Sequence, residues 1–599
     1  MIATIKNKTL VILTILTLSL ADNKLNAQTY NNIWIPDTIS GTTFNLALKD
    51  TFAQFKSGNQ TITGAINHTN FWGPTLIMQN GAAVQMNVTN TLNDSTTIHW
   101  HGMHLPPIMD GGPHQIIPPG TIWSPYWTVK NQAATLWYHP HLHEMTQAHV
   151  TSGLGGFIII RDAAERALAL PRTYGIDDIP LALTSRRFLS PSNQMADNII
   201  DNYGDYIMVN GVLSPQVSLP KQVVRLRILN GEIQRGYNLG FSDGRTFYVI
   251  GNDDGLLNAP VAVTRLALHT GERVEILVDL SSNVVGSSIF LKAYNSTTEI
   301  TALTPGQNSF GWPGLEGPNG GSVPTGNNGP LNGGYLNNQD FNVLKINVTA
   351  TTASPITAIP SALVNNTYWT AAQATNSRTL TVTGGNGGTT FSIDNSYFSL
   401  AVTNQTVALN AIEKWTIVNN NIFGHTFHLH DVPFHIISRS GGNIGSTVRS
   451  YEQGWKDMAY IPIGGSVTFV TKFEDYSDAS WPYMYHCHAL THEDEGMMGS
   501  FKVIGTMTTT GVEEKNKEAK DFSLYPNPAN DKLFVNFIDP TAKAYYIRII
   551  NAAGKTLFML PRPILENGLD ISTLNSGMYF IQLTDDLTKI ITTKKFIKE

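Results

Sequence analysis

The sequence predicts an all-β protein, and three observations support this fold class. Of its 599 residues 42% are hydrophobic and only 14% charged, with 51 Gly and 30 Pro, as in turn-rich, exported β proteins. Residues 30–162 alternate short apolar runs with turns and end in the buried-strand pattern GLGGFIIIRD. In residues 163–350, segments such as VVRLRILNG have the pattern of half-buried strands. The length exceeds what one hydrophobic core supports, so we expect several domains.

The N-terminus has the features of a secretory signal peptide. Lys6 and Lys8 supply its positive charge, and the apolar run that ends at Ala21 is too short to span a bilayer. We predict cleavage after Ala21 or Ala27 and assign residues 1–27 to the signal; a retained N-terminal anchor is the alternative. No later stretch is long and apolar enough to cross a membrane. The formal net charge of -6 gives no reason to expect nucleic-acid binding.

The only cysteine, Cys487, lies between two histidines in the segment HCHALTHEDEGMMG, and His492 and Met497 follow it. A thiolate combined with imidazoles and a weak thioether is a ligand set typical of redox-active copper. Because successive side chains of a strand point to opposite faces, Cys487 should face one way and His486 and His488 the other. One tripeptide could then serve two metal sites and join them by a short covalent path.

Three further segments carry histidines at short spacings. STTIHWHGMH, LWYHPHLHEM and FGHTFHLHDVPFH contain, in order, His99 and His101, His139 and His141, and His425, His428 and His430. Ten of the 17 histidines therefore fall in four segments at ligand spacing. Zinc is the alternative metal, but a closed tetrahedron of four ligands would leave most of these histidines unused, and a thioether suits copper better.

In this order, the patterns HxHG, HxH, HxxHxH and HCHxxxHxxxxM resemble the four copper motifs of the multicopper oxidases, a family that includes laccases, bilirubin oxidases and cuprous oxidases. The resemblance covers about residues 30–505. It implies three cupredoxin-like Greek-key β-sandwich or barrel domains, at 28–162, 163–350 and 351–505. The middle domain would hold no copper ligand and would space and hold the outer two. Because each outer domain carries two motifs, the shared copper cluster should lie at their interface.

The resemblance also implies four copper ions and twelve protein ligands. The type 1 copper would be bound by His425, Cys487 and His492, with Met497 as the axial ligand. The type 2 copper would be bound by His99 and His428. The two type 3 coppers would share His101, His139, His141, His430, His486 and His488. The sequence does not divide these six between the two type 3 ions.

The family's activity implies that a small substrate gives electrons one at a time to the type 1 copper and that O₂ is reduced to water. His492 would receive the electrons, and Cys487 would pass them on. Asp110 and Glu493 stand where the family keeps acidic residues for proton delivery. The alternatives are a turn role for Asp110, which precedes Gly-Gly, and an orienting role for Glu493. The segment GWKDMAYIP resembles the bacterial branch of the family but assigns no role to Asp457.

We expect a laccase-like oxidase of phenols or similar donors, because an axial Met implies a low-to-middle potential within the family. The alternatives are a metallo-oxidase acting on Cu(I), Fe(II) or Mn(II), and a copper-binding protein with little turnover. The stretch Thr304–Asn338 contains no Met, unlike the Met-rich insert of the enterobacterial cuprous oxidases, which argues against a dedicated Cu(I) oxidase. A complete cluster built across two domains argues against simple storage.

After a polar linker at 506–520, residues 521–599 form a separate segment. The element Tyr525-Pro526-Asn527-Pro528, the strand at Gly577-Met578-Tyr579 and the basic end resemble the C-terminal sorting domain of the type IX secretion system. The resemblance implies a small β-sandwich that engages that machinery. The protein would then pass through the periplasm and across the outer membrane of a Gram-negative bacterium, to be released or attached to the cell surface. A β-sandwich with a binding role is the alternative.

Overall fold

The computed structural model describes residues 29–69, 71–196, 204–296, 336, 340–384, 390–421, 424–441, 447–505, 522–537, 545–551, 556–561, 568–585 and 589–599. These residues form mostly β-strands with a few short helices, which confirms the predicted fold class. The signal peptide, the linker and almost all of the stretch Thr304–Asn338 lie outside the described residues. No helix in the described part of the chain is long and apolar enough to cross a membrane.

The first sandwich is built from two sheets. The first strand of the chain, β1 (Asn31–Asn32), pairs with the second sandwich and not with this one. The strands of the first sandwich are β2 (Thr38–Ser40), β3 (Thr43–Ala53), β4 (Thr61–Ile66), β5 (Thr75–Gln79), β6 (Ala83–Asn90), β7 (His99–His101), β8 (Ile122–Trp123), β9 (Tyr126–Thr128), β10 (Thr135–His139) and β11 (Gly156–Arg161). One sheet has the order β2-β5-β11-β10-β7, and the other has the order β4-β3-β6-β8 with β9 also paired to β6. Apolar side chains of both sheets, among them Phe44 and Trp100, form the core between them.

The second sandwich follows two helices, α1 (Thr146–Ser152) and α2 (Ala163–Ala167). Its strands are β12 (Asp178–Arg186), β13 (Tyr206–Val209), β14 (Val212–Leu213), β15 (Pro215–Pro220), β16 (Val223–Asn230), β17 (Tyr237–Phe241), β18 (Phe247–Asn252), β19 (Gly255–Val263), β20 (Leu266–Leu268), β21 (Arg273–Asp279), β22 (Ser288–Tyr294) and β23 (Asp340–Thr349). The sheets have the orders β1-β15-β23-β22-β17-β20 and β14-β13-β12-β16-β21-β18-β19. Strand β1, from the predicted first domain, thus pairs in parallel with β15 of the second sandwich.

The third sandwich contains the last two histidine segments. Its strands are β24 (Asn376–Thr383), β25 (Ser392–Ile393), β26 (Gln405–Ala408), β27 (Ile412–Asn419), β28 (His425–Leu429), β29 (Phe434–Gly441), β30 (Met458–Ile461), β31 (Gly465–Lys472), β32 (Tyr483–Cys487) and β33 (Met498–Ile504). They form sheets of order β25-β24-β27-β31-β29 and β26-β33-β32-β28-β30. Helix α3 (Leu490–Asp494) follows β32, and short 3-10 turns lie at Pro107–Met109, Ala371–Gln373 and Ser450–Glu452.

The C-terminal segment also forms two sheets. Its strands are β34 (Phe522–Tyr525), β35 (Lys532–Phe537), β36 (Tyr545–Asn551), β37 (Thr556–Pro561), β38 (Leu569–Asp570), β39 (Gly577–Asp585) and β40 (Lys589–Lys598). The sheets have the orders β34-β35-β38 and β37-β36-β39-β40. Side chains such as Leu533, Ile549 and Phe596 form a small core of their own.

An ion cluster around the buried His104 joins the first and third sandwiches. The imidazole of His104, from the first, lies between two carboxylates of the third, with Nδ1 2.7 Å from Asp431 Oδ1 and Nε2 2.9 Å from Asp475 Oδ2. Burial by itself would lower the pKa of His104, but the two carboxylates outweigh it and raise the pKa from 6.5 to about 9. His104 is therefore a charged clamp between the two sandwiches at neutral pH.

The His104→Gln variant should lose stability in a pH-dependent way. Because the folded pKa of His104 lies above the unfolded one, its stabilising effect is lost as the pH rises through about 9. Burial raises the pKa of Asp431 to about 6, so both partners are charged near pH 7. We expect the variant to lower the free energy of unfolding by about 2 kcal/mol near pH 7 and by much less above the folded pKa of His104. Urea unfolding over a pH series measures this difference.

His435→Gln is the matched control, because the His435 ring stacks on Tyr368 and its pKa is lowered by burial. Its effect on stability should stay constant above pH 6.5. A His104→Gln effect that is equally flat across this range would contradict the clamp.

Candidate metal centre

The four histidine segments meet on neighbouring strands. In the first sandwich β7 pairs with β10, which sets His99 opposite His139. In the third, β28 pairs with β32, which sets His428 opposite His486 and Phe427 opposite Cys487. Alternation along β28 sends His425 to the same face as Phe427 and Cys487 and sends His428 to the other face. The tripeptide at the end of β32 therefore serves two sides of one sheet, as the sequence predicts.

On one side of β32, three predicted ligands form a compact buried group. Cys487 Sγ lies 3.5 Å from His425 Nδ1 and 3.6 Å from His492 Nδ1, and the two Nδ1 atoms are 3.2 Å apart. The buried Met497 packs in the same core as Cys487, and its carbonyl accepts a hydrogen bond from the Cys487 N–H. His492 is only 3% exposed, and its ring centroid lies 3.9 Å from that of Phe391.

On the other side of β32, the eight remaining predicted histidine ligands come together from both outer sandwiches. Their ring nitrogens form three groups within 4.8 Å: His101 with His139 and His488; His141 with His430 and His486; and His99 with His428 and His430. The first two groups each contain three of the six histidines that the sequence could not divide. Each of these two triples takes at least one histidine from each outer sandwich, so the cluster exists only when the two are docked.

Two stacked pairs lie at the centre of the cluster. The rings of His101 and His428 are 3.8 Å apart with an interplanar angle of 12°, and those of His99 and His430 are 3.9 Å apart at 20°. Each pair joins one histidine of the first sandwich to one of the third. The cluster thus has an approximately two-fold arrangement across the domain interface.

The chemistry of these groups fits bound metal ions. The buried Nε2 atoms of five cluster histidines have no hydrogen-bond partner: those of His99, His101, His139, His428 and His488. Burial lowers the pKa of most of the imidazoles, to about 3 for His141, His488 and His492, which keeps them in the neutral form that binds metals. Burial also raises the pKa of the Cys487 thiol to about 12, so a stable thiolate there needs a cation.

Both predicted carboxylates contact the cluster on the Nδ1 side of the imidazoles. His99 Nδ1 donates to the Asp110 carbonyl at 2.9 Å, and His430 Nδ1 donates to Asp110 Oδ2 at 2.7 Å. Glu493 lies 3.3 Å from His141 Nδ1 and 3.2 Å from His486 Nδ1. These contacts leave the Nε2 atoms free to face a metal.

A turn glycine accounts for the position of Asp110. Gly111 has φ +78°, and a Cβ there would lie 1.7 Å from the Ile98 carbonyl oxygen. Only glycine fits this close approach, which sets Asp110 against β7. The Asp-Gly-Gly sequence therefore forms a turn and also brings a carboxylate to the cluster.

Sequence reasoning missed a third carboxylate, that of Asp457. His428 Nδ1 donates to the Asp457 carbonyl at 2.9 Å, and Asp457 Oδ2 lies 3.3 Å from His101 Nδ1. Asp457 precedes β30 and is far from every histidine segment in sequence, so no spacing pattern points to it. Its only sequence signal is the segment GWKDMAYIP.

Comparison with known proteins identifies the family. Sequence models described as multicopper oxidase match residues 48–165 and 371–505. The chain is 30% identical over 469 residues to the cell division protein FtsP of Xenorhabdus nematophila, covering 76% of this chain and 88% of the relative. It is 29% identical to the bilirubin oxidase of Albifimbria verrucaria, covering 72% of this chain and 71% of that one.

A solved structure gives the same result. The laccase-like multicopper oxidase CueO from the lignin-degrading bacterium Ochrobactrum sp. superposes with a TM-score of 0.65 and 28% identity, covering 78% of this chain and 99% of that chain. The chain belongs to the multicopper oxidase family. It is therefore an oxidoreductase, and membership implies that it binds copper. The predicted family and cupredoxin-like fold are confirmed.

The end of this multicopper oxidase is also identified. Residues 523–599 match the model of the secretion system C-terminal sorting domain. The tail, which folds as its own small sandwich, indicates export through the type IX secretion system.

Removing copper from this multicopper oxidase is expected to lower its melting temperature. The ligands converge only in the folded chain, so copper binds the native state and stabilises it by about 4 kcal/mol when free copper is 1,000 times the Kd. Scanning calorimetry before and after dialysis against a chelator measures the change. Identical melting temperatures would show that the histidine cluster does not bind copper.

Proposed function

We propose that the protein is an exported laccase-like oxidase that couples one-electron oxidation of phenolic or similar donors to the reduction of O₂ to water. One observation carries the proposal. Cys487 contacts His425 and His492 on one face of β32, while its two neighbours in sequence each belong to a different histidine triple on the other face. A binding or storage protein has no need for this connection.

The geometry suggests how four copper ions would be held. The type 1 ligands would be His425, Cys487, His492 and Met497. The type 2 ligands would be His99 and His428. One type 3 copper would take His101, His139 and His488, and the other would take His141, His430 and His486. Bound in this way, copper supplies reversible one-electron redox chemistry and the capacity to bind and reduce O₂.

The residues between the two sites provide a short connection. Cys487 is joined by single peptide bonds to His486 and His488, so electrons accepted on the His492 side have a covalent path of one residue to either triple. Two further features support a fixed arrangement. The Ala489 N–H lies 3.5 Å from Cys487 Sγ, and the Cys487 N–H is bonded to the Met497 carbonyl. These contacts fix the thiol without competing for its metal-facing side.

Asp110 and Glu493 are proposed to hold and deliver the protons that O₂ reduction requires. Both carboxylates are buried and lie within 3.4 Å of imidazole Nδ1 atoms from both outer sandwiches. The neighbouring imidazoles lower the pKa of Glu493 despite its burial, so its resting form is the carboxylate. In a buried site, such carboxylates are the nearest groups that can take up a proton and pass it on. The same contacts also orient the imidazoles, so the two roles are compatible.

Two features favour organic donors over metal ions. A thioether ligand from Met497 would give the copper a potential suited to easily oxidised phenols, aminophenols or pigments. Similar proteins include a bilirubin oxidase and a laccase-like oxidase. The sorting tail supports action outside the cell, with the protein released or attached to the outer surface.

Oxygen uptake by copper-loaded protein tests this function. With syringaldazine or dimethoxyphenol as donor, we expect O₂ consumption in a ratio of one O₂ to four electrons. Fe(II), Mn(II) and Cu(I) are tested in parallel. Uptake with the metal ions and none with the phenols would replace the laccase assignment by a metallo-oxidase, and no uptake with any donor would refute oxidase function.

Cys487→Ser is the matched variant in this assay. Serine keeps the size of the side chain but removes the thiolate, so the blue colour and the turnover should disappear together, while copper on the histidine cluster is retained. Full oxidase activity in a colourless Cys487→Ser protein would exclude the proposed path through this residue.

Glu493→Gln should slow turnover without weakening donor binding. Loss of a positioned proton-transfer group typically costs about 10² or more in rate, so kcat should fall by about that factor, whereas KM for the phenol and the blue colour should not change. The neighbour Asp494 provides the control, because it accepts from the backbone N–H groups of Thr146 and Gln147. Asp494→Asn should affect stability more than kcat. Wild-type kcat in Glu493→Gln would rule out its role in proton delivery.

A further inference from the structure

We propose that Arg273, a residue of the second sandwich, is a positioning residue for the copper cluster shared by the other two. The proposal rests on the proposed function, since it assigns Arg273 to the same metal site. Arg273 begins β21 and is completely buried. Among the described residues it forms no hydrogen bond or ion pair with a histidine, and its closest link to the cluster is Asp457.

All the hydrogen-bonding capacity of the Arg273 guanidinium is used. Nη1 and Nη2 donate to Asp457 Oδ1 and Oδ2 at 2.6 and 2.7 Å, a two-point fork. The remaining donors go to three backbone carbonyls, at 3.1 Å to Gly271, 3.1 Å to Asp253 and 3.3 Å to Thr135. Five N–H groups thus meet five acceptors, and the Asp457 carboxylate has one orientation that satisfies the fork.

Asp457 transmits this orientation to two proposed ligands. Its carbonyl accepts from His428 Nδ1, and its Oδ2 lies beside His101 Nδ1. The rings of His101 and His428 stack on each other, so a shift of the carboxylate would move one ring against the other. Imidazoles that bind metals depend on such partners for ring orientation.

The backbone of the first sandwich packs directly against the fork. Gly102, directly after His101, has φ +85°, and a Cβ there would lie 2.7 Å from Asp457 Oδ2 and 2.8 Å from Arg273 Nη2. Gly102 of the first sandwich thus has no side chain at the point where Arg273 of the second sandwich meets Asp457 of the third. This contact explains the glycine that follows His101 in the HWHG segment.

The other stacked pair provides an internal comparison. Asp110 holds His99 through its carbonyl and His430 through its carboxylate, as Asp457 holds His428 and His101. Among the described residues, however, no arginine or lysine forms an ion pair with Asp110. The second sandwich therefore adds a buried ion pair to the Asp457 half of the cluster that the Asp110 half does not have.

Arg273→Gln and Arg273→Lys test the proposal in the full-length, copper-loaded protein. Copper per chain is measured after dialysis against a graded series of chelator, alongside the EPR signal of the type 2 copper and the blue absorption. We expect Arg273→Gln to release cluster copper at about 10–100-fold lower chelator strength, with an altered type 2 signal and an unchanged blue band. Arg273→Lys keeps the charge but cannot form the fork, so its chelator resistance should lie between those of the wild-type protein and Arg273→Gln.

Arg225→Gln is the matched control. Arg225 is equally buried in the same sheet and donates to Glu165 and Glu275, and its described partners include no histidine. The Arg225→Gln variant should have a lower thermal stability but an unchanged EPR signal and unchanged chelator resistance. If Arg273→Gln does not fold, Arg273→Lys carries the test.

Several outcomes would overturn the assignment. Wild-type EPR and chelator resistance in the Arg273 variants would do so, and so would equal copper loss in Arg225→Gln, because the effect would then be general destabilisation. The readouts do not depend on turnover. A wild-type protein that binds copper but oxidises no donor would defeat the proposed function and leave this inference standing. A wild-type protein that holds no cluster copper would defeat both.

Discussion

Eight imidazoles are buried where the first and third sandwiches meet, and most of their inner nitrogens have no partner in the protein. Polar atoms buried without partners destabilise a fold unless something else satisfies them. Metal binding would remove this cost and at the same time tie the two sandwiches together, because neither holds a complete histidine triple. Docking of the outer sandwiches and assembly of the metal site are therefore one process.

Three carboxylates reinforce the same interface from the outer side of the rings. Asp110, in the first sandwich, reaches His430 in the third, and Asp457, in the third, reaches His101 in the first. Glu493 lies between one imidazole of each. Every one of these acids contacts histidines from both sandwiches, so orientation of the ligands and attachment of the domains depend on the same contacts.

The second sandwich is more than a spacer. As the sequence indicates, none of the clustered ligand groups in the described residues comes from it. It still reaches the site, because Arg273 fixes Asp457 and Thr270 Oγ1 lies 2.6 Å from Thr426 Oγ1 of the third sandwich. A domain without ligands can thus influence the metal site through the residues that hold the ligands.

The sequence by itself predicted the ligand types and determined that Cys487 and its two neighbouring histidines face opposite sides of one strand. Alternation along a strand is a local rule, so His486 and His488 could be placed opposite Cys487 before any fold was known. The resemblance of the four segments then gave the family, and the tail gave the route of export. Only the tertiary structure decided how the six shared histidines form two triples, and only it brought Asp457 and Arg273 to the cluster. Those contacts join residues that are distant in sequence and come from three separate sandwiches, and no local spacing records which of them will meet when the sandwiches dock.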